Sequence, residues 1–170
     1  MTDSLCDVIV ESDLRAQVTI DALAQVACNS TFAELGLVPT GYSVALLACD
    51  DATISKLNND FREISKATNV LSWPSEDRAT NVLPQPGTAE DPNELGDIAI
   101  AYETCEREAI AQGKALDDHI THLIVHAILH LFGYDHEEDA DATLMEATEV
   151  AILTRLGIND PYVDWSQDET

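Results

Sequence analysis

The sequence predicts an α+β fold, a small mixed β-sheet with helices packed mainly on one side. Strand-like and helical stretches alternate up to about residue 102, and only helical stretches follow. The chain has 170 residues, 45% of them hydrophobic, which suits one domain built around one core. That domain is expected over residues 1–158, with 159–170 as a flexible tail.

Each element has its own signal. Residues 5–11 alternate around Val8 and Ile9 and read as a first strand. Ile20, Leu23, Ala24, Ala27 and Phe32 fall at helical spacing over 19–35, and Gly36 is placed to stop that helix. Residues 43–49 are apolar enough for a strand buried on both faces. Asp50 and Asp51 suit the start of a helix running to about Phe61. Residues 69–73 form a short strand that Pro74 stops. A polar stretch from 74 to 95, punctuated by Pro84, Pro86, Gly87 and Pro92, is too long for an ordinary connection and reads as a functional or mobile loop. Residues 96–102 form the last strand, and helices follow at 102–112, 116–132 and 138–156.

Composition excludes several functions. Eight Lys+Arg against 32 Asp+Glu give a net charge of −24, which excludes a broad basic surface that coats nucleic acid. Aromatic residues make up only 5%, too few for base-stacking platforms to be the main binding device. No apolar run is long enough for a membrane span. Residues 1–15 carry Asp3, Asp7, Glu11 and Asp13 and predict no secretory leader. Cys6, Cys28, Cys49 and Cys105 form no CxxC pair and read as reduced structural thiols of a cytoplasmic protein.

All five histidines, His119, His122, His126, His130 and His136, lie within 119–136. His126 and His130 are one turn apart on one helix face, about 6 Å along the axis, the spacing by which a helix offers two imidazoles to a metal. The surrounding helix is almost wholly apolar, and buried imidazole nitrogens are costly without partners. Gly133 can end the helix left-handed and bring His136 back toward the pair. The spacing H-x3-H-x2-G-x2-H is that of metzincin proteases, and three nitrogen ligands with an open fourth position mark a catalytic zinc site. In those proteases a Glu base follows the first histidine; Ala127 stands here, which speaks against a peptidase. His119 and His122 read as supporting or packing residues, and Met145 as core rather than a floor beneath the metal. Glu137, Glu138, Asp139 and Asp141 read as charges that favour the start of the last helix. A histidine-rich core helix without metal is the competing reading.

The run from His119 to His136 resembles the signature of the YbeY family of bacterial rRNA maturation factors, which are metal-dependent, single-strand-specific endoribonucleases. Leu57-Asn58 with Phe61-Arg62 resembles the family's LNxxxR element. Thr68 to Ser72 with Pro74 resembles its TDVLSFP strand, and Leu95 to Ile98 its LGDI strand. Met145-Glu146 and Glu149 fit its following helix, so the likeness runs from about 42 to 156. Ala127, Asn69 and Trp73 depart from the family's Gly, Asp and Phe, and Asn69 removes a charge. The resemblance implies one zinc ion on His126, His130 and His136, with Arg62 in the active cleft. It implies single-stranded RNA rather than DNA as substrate, the small ribosomal subunit and its assembly factors as partners, processing of the 16S rRNA 3′ end, and ribosome quality control.

The residues themselves add a case for RNA. Lys56, Arg62, Lys66 and Arg78, half of the eight Lys+Arg, fall within residues 56–78. An acidic body with one basic window steers RNA to that window, and the Arg62 fork suits two phosphate oxygens. Ala127 cannot be a base; Asp97 and Asp135 are the candidates, although Asp135 also suits a supporting bond or a turn and Asp97 a strand end. Attack by water would leave a 5′-phosphate, and attack by the ribose 2′-hydroxyl a 2′,3′-cyclic phosphate. A metal hydrolase of another class, such as a peptidase or amidase, and a non-enzymatic zinc-binding assembly factor are the alternatives.

Overall fold

The computed structural model describes residues 6–10, 17–62, 68–135 and 137–162. Strand β1 (Cys6–Val10) leads to helix α1 (Gln17–Glu34), and β2 (Tyr42–Cys49) to α2 (Asp51–Arg62). Strands β3 (Val70–Pro74) and β4 (Asn93–Ala101) follow, then α3 (Tyr102–Gln112), α4 (Leu116–Leu131) and α5 (Asp139–Arg155). The sheet order is β1-β2-β4-β3. β1, β2 and β4 run parallel, and β3 pairs antiparallel with β4, so the sheet is mixed as expected.

The main core lies on one face. Val44, Leu46, Ala48, Ile98 and Ile100 of the sheet meet Ile20, Ala24 and Phe32 of α1, Ile124, Ile128 and Leu131 of α4, and Ile152 of α5. The opposite face is thinner, with Ile54 and Leu57 of α2 over Cys49, Leu71, Ala99 and Ala101. The cap of α2 is Asp50, whose carboxylate accepts the Thr53 amide at 2.8 Å. Met145 is in the main core. The four cysteines are buried thiols, and burial pushes the Cys105 thiol up to about 12, leaving it inert at neutral pH.

Two details depart from the sequence reading. β4 begins at Asn93, not 96, because the polar residues Asn93 and Glu94 extend it: the Asn93 amide donates to Gly41 O and its side chain to Gln85 O. β4 also carries a one-residue bulge, since Ser43 pairs with Glu94 and the next residue, Val44, with Gly96. A bulge shifts every later side chain to the other face. Leu95 and Ile98 can therefore both face the main core, which strict alternation forbids. The connection between β3 and β4 is tied down where Tyr42 donates to Pro84 O at 2.6 Å and Gly87 N to Gly41 O at 2.8 Å.

Candidate metal centre

α4 is buried along most of its length and turns its histidine stripe toward α5 and a cleft at its C-terminal end. The rings of His126 and His130 lie 4.6 Å apart between centroids. Their Nδ1 atoms are both committed: that of His130 donates to Tyr134 O at 2.8 Å, and that of His126 to Glu149 Oε2 at 2.6 Å. In a neutral imidazole a donating Nδ1 leaves Nε2 as a bare acceptor. The two Nε2 atoms nevertheless face each other at 3.1 Å. Two lone pairs at that distance repel unless a positive centre lies between them. Two nitrogens bound to a tetrahedral zinc at about 2.0–2.1 Å stand about 3.3 Å apart. The residues present therefore fit a divalent ion.

The turn after α4 prepares this geometry. Gly133 adopts φ +98°, and a Cβ there would lie 2.2 Å from Arg78 O. Gly133 N donates to His130 O and Tyr134 N to Leu129 O, which closes the helix and delivers the Tyr134 carbonyl to His130. His136 lies just beyond this turn, outside the described residues.

Glu149 of α5 supports the stripe from the other side. It is fully buried; its Oε2 takes the bond from His126, its Oε1 a bond from His122 Nε2 at 3.0 Å, and Tyr162 also donates to it. Burial pushes the carboxyl up, but the bonds from His122, His126 and Tyr162 outweigh it and hold it down at about 2. His122, His126 and Glu149 also place donor atoms within 4.8 Å of one another, a possible metal site in its own right. Tyr162 belongs to the segment read as a tail, so the start of that segment is tied to the centre.

The structure sorts the remaining candidates. Asp135 joins His130, Ser72, Asp77 and Arg78 around a cleft of about 470 Å³. Asp97 does not. It pairs with Ala45 and Trp73 in the middle of β4 and lines an apolar hollow with Leu57 and Trp73 on the α2 face, opposite α4. The β4 bulge puts it there. Arg62 ends α2, but its side chain lies outside the described structure, as does Lys66. Asn69 donates to Glu108 of α3 at 3.1 Å, and His119 Nε2 shares the same oxygen at 2.8 Å. An aspartate at 69 would set a second carboxylate against Glu108, so the amide fits this network, which joins α3 to the start of α4. Sequence reasoning missed the part played by Glu149; its signal was the need of ligand imidazoles for an acceptor behind them.

Fold and site together define a mixed α+β protein with a cluster of histidines suited to a metal ion where a buried helix ends. The family model described as Endoribonuclease YbeY matches residues 9–157, and the chain belongs to that family. The Endoribonuclease YbeY of Cereibacter sphaeroides is 49% identical over 169 residues, covering 94% of this chain and 99% of its own. That of Ruegeria pomeroyi is 55% identical over 147 residues, covering 82% and 88%. The solution structure of TM1509 from Thermotoga maritima superposes with a TM-score of 0.58 at 21% identity, covering 93% of this chain and 99% of its own, and shows the same fold.

Proposed function

We infer that the chain is an endoribonuclease of rRNA maturation that cleaves single-stranded RNA at a zinc centre. The observation that carries this is the pair of Nε2 atoms of His126 and His130, 3.1 Å apart, with His130 lining an open cleft, in a chain of the YbeY endoribonuclease family. The ion is assigned to His126, His130 and His136. The alternative set of His122, His126 and Glu149 is less suited to catalysis, because its carboxylate is fully buried and already engaged by three donors. A catalytic ion needs a position open to substrate.

When bound, the ion supplies Lewis acidity and lowers the pKa of a nucleophile to near neutrality. The chain supplies the rest. Glu149 and the Tyr134 carbonyl fix ring orientation and tautomer in His126 and His130. Arg62 stabilises charge growing on the non-bridging phosphate oxygens. Asp135, at the cleft, takes or orients the proton of the attacking group. Asp97, on the far face, is not assigned a role in this step. Partners in the small ribosomal subunit, action at the 16S rRNA 3′ end and in ribosome quality control, and a cytoplasmic location complete the reading. No helix among the described residues is long and apolar enough to cross a membrane.

Cleavage of a single-stranded RNA by the zinc-loaded protein, with the product ends identified, tests the activity. A 5′-phosphate indicates attack by water, and a 2′,3′-cyclic phosphate attack by the ribose. Cleavage of peptides or amides with RNA untouched would overturn the reading.

A further inference from the structure

We propose that Arg78, outside the histidine motif, is a positioning residue that holds the metal-ligand turn in register. One nitrogen of its guanidinium donates to two carbonyls at 3.0 Å each, Leu95 O of β4 and Leu131 O at the last residue of α4. Its second terminal nitrogen donates to Ser75 Oγ at 2.9 Å. Ser75 is itself fastened to β4, through its amide on Leu95 O at 2.9 Å and its hydroxyl on Glu94 O at 2.8 Å. Arg78 thus ties the β3–β4 connection, strand β4 and the end of α4 at one point.

That point adjoins the metal centre. Leu131 follows His130, and the last carbonyls of a helix have no intrahelical donor. Arg78 satisfies one of them and places its charge at the negative end of the helix dipole. The Arg78 backbone completes the clamp, because its carbonyl fills the space that a side chain at Gly133 would take. The segment 130–134 is therefore held by Arg78 at two points, Leu131 O and Gly133, and it carries the Tyr134 carbonyl that sets the tautomer of His130. Asp77, Asp135 and Glu137 line the same cleft, yet among the described residues Arg78 gives its hydrogen bonds to carbonyls and a hydroxyl. The planar fork reaches these three acceptors from two nitrogens at once, whereas a lysine ammonium would have to reach them all from a single atom.

The inference rests on the assignment of the ion to His126 and His130, and its test separates the two. Metal-free protein is titrated with Co²⁺, following affinity and the visible d–d spectrum, for the intact chain, Arg78→Ala and Arg78→Lys, with thermal melts alongside. Arg78→Ala is expected to weaken Co²⁺ binding about 10–100-fold and to change the spectrum. Arg78→Lys should fall between, and added guanidinium should partly restore Arg78→Ala. If Arg78→Ala does not fold, Arg78→Lys carries the same comparison. Unchanged affinity and spectrum in a folded variant, even with a lower melting temperature, would overturn the role. Failure of the intact chain to bind Co²⁺ would overturn the metal assignment, and this inference with it.

Discussion

His126 and Glu149 meet across the α4–α5 interface, with Nδ1 of the imidazole 2.6 Å from Oε2 of a fully buried carboxylate. The bond fixes which ring nitrogen is left for a metal. Replacing Glu149 with Gln keeps the shape but removes the charge and half of the acceptor capacity. Glu149→Gln is expected to lower zinc affinity about 10–100-fold while the protein stays folded. Competitive titration against a chelator measures it.

The same carboxyl makes stability depend on pH. Its folded value, about 2, lies below the ordinary value of 4.5 because His122, His126 and Tyr162 donate to it. A group depressed on folding stabilises the native state above its unfolded pKa and loses that contribution as pH falls through the folded one. Denaturant midpoints of metal-free protein should therefore fall between about pH 4.5 and 2, and Glu149→Gln should flatten that fall. An identical slope in the variant would place the acid sensitivity elsewhere.

Gly133 carries two constraints, its left-handed φ of +98° and the contact with Arg78 O. Gly133→Ala costs about 1–3 kcal/mol from conformation alone, and the overlap adds to it. A lower melting temperature together with weaker zinc binding is expected, because the turn that presents the Tyr134 carbonyl must move. Gly113, also at positive φ but with nothing within 4 Å of an added Cβ, is the control; alanine there should leave zinc binding unchanged.

Electrostatic steering of RNA is expected to depend on the basic window. Neutralising Lys56, Arg62 and Lys66 together should weaken single-stranded RNA binding and flatten its logarithmic salt slope by up to about 2. Arg62→Ala alone should abolish cleavage with zinc content unchanged. Salt titrations of binding and metal analysis of the variants check both statements.

The fold was legible in the sequence because α1, α4 and the strands are rich in apolar residues, and because Gly133 and Pro74 punctuate the chain where elements end. The pairing of His126 with His130 followed from helical geometry alone. Less local features were not legible. The partnership of Glu149 with His126 depends on how α5 lies against α4, which no spacing encodes. The placing of Asp97 depends on one extra residue in β4; alternation counted from Leu95 gives the wrong face. Asn69 reads in the sequence only as a lost charge, whereas its amide bonds Glu108; Tyr162 reads as tail, whereas its hydroxyl donates to Glu149.

A single catalytic ion shared by His126 and His130 is the assignment on which the proposed activity rests. The most direct measurement is zinc stoichiometry together with single-stranded RNA cleavage, comparing the intact chain with His130→Ala. The variant is expected to lose both bound zinc and cleavage while remaining folded. Full zinc occupancy in His130→Ala, or cleavage at the intact rate, would contradict it.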